Sequence, residues 1–564
     1  MDFPKKTKYS LLGFMLTFIL IFKYPSEGHE YGKDSFFVHA LGQHLQDLDF
    51  APWLIHPLSA YALYPFSYAP GMSFILASLS DISGLSMEMV VLFLSIVFSL
   101  LGVFGMFMFT SEISDRFDVR FVSAFLFAFT PAIATYLTWT ISTRGPFICL
   151  MTLLLWSLAR TINARHKLKI FLVSLVFLFS LPTIHHFSLL FPIVVLAYLA
   201  SYLTAIGLEH TNRVSIYYHE NVMIASIVIF AFMIFLFYLQ ASTVDIYAPH
   251  LDYFRAWYVY GDVDSPLSLA INIIVYYGIS MGVLMIFGGV GLFQVLGKLD
   301  KTRVEWTLLY LIIFFSLFLV DKTYLKMFVV PLFLPLVAIG FVAIMDKIEY
   351  RKDLYVVLVS TLLLAGSYYS AFAVQQWSDV RTVEETGYHH YMDEGPYNSA
   401  IYIRYTIFEA QGPIAIHNDA VDKRRVTAIS GMPMLYLENA QILVANPDIT
   451  DNISIEQHSI SEMYYGHHDN RYFIDWENSE IDQPDHFTSI LRTYWNTTRL
   501  EGMLKDNRVQ WAVSYTAFPG ERGISSHPHM NDHSIFFTSL VDNRYKLYEN
   551  DFETIYFLIP IEAR

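Results

Sequence analysis

Two carboxylates stand four positions apart in Glu27-Gly-His29-Glu30-Tyr-Gly-Lys33-Asp34-Ser-Phe-Phe-Val-His39, and they are the first candidates for chemistry in this chain. Apolar residues at Phe37, Ala40, Leu41, Leu45 and Leu48 keep helical spacing behind them, which predicts an amphipathic helix opening at Asp34 and lying along a membrane interface. Asp34 then has two readings. As an N-cap it accepts a backbone N–H. As a general base it takes a proton just above the bilayer, with Glu30 one helical turn away as a partner or metal ligand. Four cations fall on the outward side, against the positive-inside bias of the loops: Arg144, Arg255, Lys322 and Lys326. Charges at membrane depth need a partner or a function, and an anionic phosphate supplies one. Snorkelling, or pairing with carboxylates such as Asp321, is the plainer account. The adjacent His185 and His186 point about 100° apart on a helix, a poor bidentate metal site, which leaves hydrogen bonding to substrate or backbone. Asp262-Val-Asp264 offers hard oxygens to a divalent cation such as Mg or Mn, although solvated carboxylates explain it equally simply.

The elements that must position these residues are membrane helices. The 564-residue chain is 54% hydrophobic and only 15% charged, outside the range of ordinary soluble domains. About eleven apolar runs qualify as spans, near 9–23, 86–110, 120–138, 146–160, 168–182, 187–206, 221–240, 267–296, 305–320, 325–345 and 354–374, with 71–82 as a re-entrant candidate. With the N-terminus cytoplasmic, the inner loops hold sixteen Lys and Arg against six in the outer loops. That orientation puts the outer loops 24–85 and 241–266 and the C-terminal part on the outside, in a multi-pass plasma-membrane protein. Residues 1–25 also read as a signal peptide, but no small-x-small cleavage site follows them.

Residues 376–564 hold 28 Asp and Glu against 14 Lys and Arg, so the net charge of −15 belongs almost entirely to this tail. Neither half offers the basic face that a nucleic acid requires, so no nucleic-acid partner is expected. Cys149 is the single cysteine, which excludes an intrachain disulfide and cysteine-based metal sites. Helix signals at Asn398 to Glu409, strand signals at Pro413 to His417 and Gln510 to Tyr515, and a hairpin signal at Tyr545 to Leu558 predict an extracytoplasmic α/β domain. Asn452-Ile-Ser and Asn496-Thr-Thr are N-glycosylation sequons.

The order of these features resembles the GT-C fold glycosyltransferases, the class that includes protein O-mannosyltransferases, aminoarabinose transferases and the oligosaccharyltransferase catalytic subunit. The likeness rests on His29-Glu30-Tyr-Gly-Lys-Asp34-Ser-Phe-Phe after a short first span and on Tyr64-Pro-Phe-Ser-Tyr-Ala-Pro-Gly71. It rests also on Phe129-Thr-Pro131 followed by Ser142-Thr-Arg144, and on Lys322-Thr-Tyr324 running into Pro331 and Pro335. It covers most of 1–375. No Trp-Trp-Asp-Tyr-Gly sequence occurs in the tail, which argues against transfer to peptide asparagine.

The resemblance implies a multispanning α-helical membrane domain (1–375) of GT-C-like fold, carrying the extracytoplasmic α/β domain 376–564. It implies a sugar donor on a polyprenyl phosphate and a glycan, lipid or protein acceptor in contact with the lipid bilayer. Asp34 would act as base with Glu30 beside it. Arg144, His185, His186, Arg255, Lys322, Tyr324 and Lys326 would bind substrate, and a metal on Glu30 or Asp262/Asp264 is the alternative means of stabilising the leaving phosphate. The rival readings are a secondary transporter, which would show two related halves, and a non-catalytic surface-assembly or receptor protein.

Overall fold

The computed structural model describes residues 4–24, 28–49, 69–134, 136–163, 167–210, 281, 284–317, 326–347, 357, 361, 392–408, 414–417, 422–432, 434–435, 509–515, 545–550 and 553–557. The described part is mostly helical. In chain order the helices of the first 375 residues are α1 (Lys5–Lys23), α2 (Lys33–Leu48), α3 (Gly71–Ser83), α4 (Met87–Ser111), α5 (Phe117–Phe129), α6 (Pro131–Ala134), α7 (Arg144–Asn163), α8 (Lys167–Ile184), α9 (Phe191–His210), α10 (Leu284–Gly297), α11 (Arg303–Leu317) and α12 (Lys326–Lys347).

Local sequence sets most of the boundaries. The Ser86 hydroxyl accepts the Met89 N–H at the start of α4, and Glu88 sits in that first turn, where a negative charge suits the helix dipole. The 120–138 run does not form one span. α5 stops at Phe129, because Thr130 precedes a proline and is held extended (ψ 129°), and Pro131 opens the separate turn α6. The 71–82 segment is a regular helix, α3, closed by Gly84 in the left-handed region.

Among the described residues, 87–111, 144–162, 191–208 and 328–347 are long and apolar enough to cross a membrane, and 71–83, 168–184 and 284–297 are apolar but shorter. This is a multi-pass helical membrane protein. The spans expected at 221–240 and 354–374, apart from the isolated residues 357 and 361, lie outside the described residues, as do 267–280 and both sequons.

No water is expelled when helices associate in lipid, so packing and interhelical hydrogen bonds hold the bundle together. Thr110 donates to Ser123 between α4 and α5 (3.0 Å), Ser174 to Ser157 between α8 and α7 (3.0 Å), and Thr307 to Ser201 between α11 and α9 (2.9 Å). Each such bond contributes about 0.6 kcal/mol.

In the tail, α13 (Glu394–Tyr402) runs on through one π turn to Ile407, and α14 (Asp422–Ser430) follows β1 (Ile414–His417). With β2 (Met434–Leu435), β3 (Val509–Tyr515), β4 (Tyr545–Glu549) and β5 (Glu553–Phe557) it forms a mixed sheet in the order β2-β1-β3-β5-β4. β1 is parallel to β2 and β3, while β3-β5 and β5-β4 are antiparallel. The expected strands and hairpin are present, and the helix starts four residues earlier than expected, at Glu394.

Candidate functional site

The site begins at the entry to α2. The cap position is Gly32, not Asp34, and its φ of 87° is a conformation that favours glycine. The backbone arrives there tied to another loop, since the Tyr31 N–H donates to the Trp139 carbonyl at 3.0 Å. The helix therefore starts before Asp34, which becomes a first-turn residue. Asp34 Oδ2 lies 2.8 Å from Arg144 Nη1. The two side chains are 33% and 21% exposed, so the pair is half-buried and open to solvent on one side.

Arg144 is positioned with equal care. It opens α7, and its guanidinium lies over the Tyr136 ring at 5.7 Å. The loop before it is bonded on both flanks: Ser35 Oγ accepts the Ile141 N–H (2.7 Å) and Ser95 Oγ accepts the Thr140 N–H (3.1 Å). Trp139 adopts φ 39°, and its indole N–H donates to the Glu88 carbonyl at 3.2 Å. Gly145 is pressed against this loop, and a Cβ there would stand 2.0 Å from the Tyr136 carbonyl oxygen.

Glu30 is fully buried, with Oε2 2.7 Å from His39 Nδ1, and its backbone N–H donates to Glu88 Oε1 at 3.0 Å. His29 bridges the same region to the tail: Nδ1 is 3.1 Å from Glu88, Nε2 is 3.5 Å from Glu394, and the ring stacks on Tyr397 at 3.9 Å. Burial alone would push His29 down, but the Glu88 and Glu394 carboxylates outweigh it and raise the imidazole above its ordinary value. No group of three His, Cys, Asp or Glu converges as metal ligands among the described residues.

His185 is buried and accepts the Phe187 N–H on Nδ1 at 3.0 Å. His186 opens the short 3₁₀ turn that follows. Lys326 opens α12, and two residues on Phe328 packs against Phe147 (5.6 Å) and Phe187 (5.4 Å). The starts of α7 and α12 and the end of α8 thus share one end of the bundle, which brings the backbones of Arg144, His185 and Lys326 together. Arg255, Asp262, Asp264, Lys322 and Tyr324 lie outside the described residues.

Sequence reading missed the residues by which the tail grips α2. Arg404 forks onto Asp47, and His44 Nε2 donates to the Gly431 carbonyl at 2.9 Å. Burial pushes His44 down to about 4, so it is neutral at that contact. Arg425 is buried with its guanidinium over the Phe36 ring at 5.8 Å. These partners are more than 350 positions from α2, and no local pattern encodes such pairs.

No family model matches the sequence, and no curated protein matches it. Solved structures do. The oligosaccharyltransferase AglB from Archaeoglobus fulgidus, in complex with an inhibitory peptide and a dolichol-phosphate, is similar at a TM-score of 0.54 and 11% identity, over 91% of this chain and 70% of that one. The same enzyme in complex with zinc and sulfate gives 0.54 and 12%, over 89% and 68%. ArnT from Cupriavidus metallidurans, bound to undecaprenyl phosphate, gives 0.50 and 10%, over 98% of both chains. Both are GT-C fold, polyprenyl-phosphate-dependent glycosyltransferases, and the likeness at these identities is one of fold. The GT-C resemblance read from the first 375 residues is thereby met in the structure.

Proposed function

We propose that this protein is a membrane glycosyltransferase that moves a sugar from a polyprenyl-phosphate donor to a glycan, lipid or protein acceptor on the outer face of the plasma membrane. The observation that carries this reading is the Asp34–Arg144 pair, half-exposed at the N-terminal ends of α2 and α7 within a GT-C fold. An opposite charge at 2.8 Å favours the ionised carboxylate, the form a general base needs. Asp34 takes the proton of the acceptor hydroxyl as that oxygen bonds to the anomeric carbon. The bond from that carbon to the phosphate oxygen breaks in the same displacement, its electrons leave with the lipid phosphate, and the sugar configuration inverts.

This assigns Arg144 to Asp34. Lys326, with Lys322, Tyr324 and Arg255, is left to hold the leaving phosphate. His185, bonded to the Phe187 N–H, shapes the helix junction beside it. The lipid phosphates in the two neighbours support the donor class.

The topology follows the same reading: N-terminus cytoplasmic, about eleven spans within 1–375, and residues 376–564 as an external α/β domain. In support, Arg116–Asp346, Arg160–Glu112 and Lys298–Glu305 gather at the far ends of their helices. Arg160 lies sixteen residues along α7 from Arg144, roughly 24 Å at the rise of an α-helix.

Among the described residues no three donors converge on a divalent cation. One oxygen of Asp34 lies on Arg144 and one of Glu30 on His39, while Glu30 Oε1 is buried with no hydrogen-bond partner, and Asp262 and Asp264 are not described. With lysine and arginine side chains holding the phosphate, transfer is expected to persist in EDTA. Loss of activity restored by Mg or Mn would hand the leaving-group role to a metal. The function itself is tested by mass spectrometry of surface glycans from cells lacking the protein: one glycan should disappear while its lipid-linked precursor accumulates, and an unchanged profile overturns the proposal.

A further inference from the structure

α2 is held between two bodies. Phe36, His44 and Asp47 fall within about 80° of one another on a helical projection, and all three meet the tail. The contacts are Arg425 over Phe36, the Gly431 carbonyl on His44 and the Arg404 fork on Asp47. Asp34 lies well round from that stripe and meets Arg144 of the membrane bundle. The Asp47 carboxylate is almost fully buried, with 6% exposure, whereas the Arg404 guanidinium is 25% exposed and braced on the Phe408 ring at 4.9 Å. A carboxylate this buried is costly without its cation, so the contact is all or nothing: the tail is seated, or Asp47 must turn α2 toward water.

We infer that Arg404 is a positioning residue: by seating the tail on Asp47 it fixes the axial and rotational setting of α2, and with it the place of the Asp34 carboxylate. This rests on the reading of Asp34 as the base. A helix moves as a rod, so slack at Asp47 is felt thirteen residues away at Asp34. The plainer alternative is a local stabilising pair, which would loosen the tail and leave Asp34 where it stands.

The two are separated without any glycosyl donor. In full-length protein carrying Cys149→Ser, an Asp34→Cys thiol is labelled with a soluble maleimide, and the rate is compared with and without Arg404→Gln. The rate should change about fivefold or more, the lower bound of a typical coupling between sites. Arg404→Lys, which keeps charge but loses the fork, should fall between, and the exchanged pair Asp47→Arg with Arg404→Asp should recover most of the original rate. Limited proteolysis reports tail seating in each variant. A tail that becomes protease-sensitive while the rate at position 34 is unchanged overturns the inference, as does a tail that stays seated in Arg404→Gln. In protein with Asp34 intact, Arg404→Gln should lower kcat for sugar transfer and leave KM for the lipid donor unchanged. If no transfer occurs in any variant while the labelling pattern holds, the glycosyltransferase reading fails and the coupling stands.

Discussion

Turnover of an Asp34→Asn variant is expected to fall about 10²- to 10⁴-fold, the range that a positioned general base supplies. The amide keeps the size and one acceptor oxygen of the carboxylate, so the contact with Arg144 Nη1 is retained in weaker form, but it cannot take a proton. Stability should change little. With Asp34 33% and Arg144 21% exposed, water screens the pair, so the loss is on the order of 1 kcal/mol or less. The variant should therefore insert and purify as the parent does. Single-turnover transfer from a lipid-linked sugar, measured beside an unfolding curve, separates the two effects, and full activity would remove Asp34 from the chemistry.

Gly145→Val should act on folding and chemistry together. A Cβ at this position would overlap the Tyr136 carbonyl oxygen at 2.0 Å, and that neighbour is backbone, which cannot rotate aside. Either α7 shifts or the 136–143 loop moves, and the loop is fastened through Ser35, Ser95 and Glu88. Overpacking of this kind costs about 1–3 kcal/mol or more, enough to lower the apparent Tm visibly. Because the loop also fastens the entry to α2, Arg144 and Asp34 are drawn apart and transfer falls with stability. Adding Asp34→Asn to this variant should cost less than it does in the parent. Additive losses would mean that Gly145 acts on folding alone.

Much of the scaffold was legible, for reasons visible in particular residues. Of the stripe Phe37, Ala40, Leu41, Leu45 and Leu48 that predicted α2, the first four are buried and Leu48 is half-buried, and the tail strands at 414–417 and 509–515 follow their β-branched and aromatic runs. The break after Phe129 was written in Thr130-Pro131 and was overridden by hydropathy, which continues apolar past it. Of the two readings of Asp34 the cap fails, because a short acidic residue before an apolar stripe signals a cap locally, whereas the Tyr31–Trp139 contact starts the helix earlier. Arg144 and Asp34 were each singled out by type and place, but their pairing across 110 positions was not. Glu88, His39, Asp47 and Arg404 carried no signal at all, since each takes its meaning from a neighbour that only the fold supplies.

The seating of the tail on α2 also orders events in time. Asp47 and Arg404 are 357 positions apart, so at roughly 5–20 residues per second the ribosome needs some tens of seconds to deliver the second after the first. During that interval, on the proposed topology, the first loop is already outside and the bundle is being inserted, yet the helix bearing Asp34 has only one of its two supports. If Arg404 positions Asp34 as proposed, the nascent chain is born idle, and competence arrives as a late, single event when the tail closes over the loop made first.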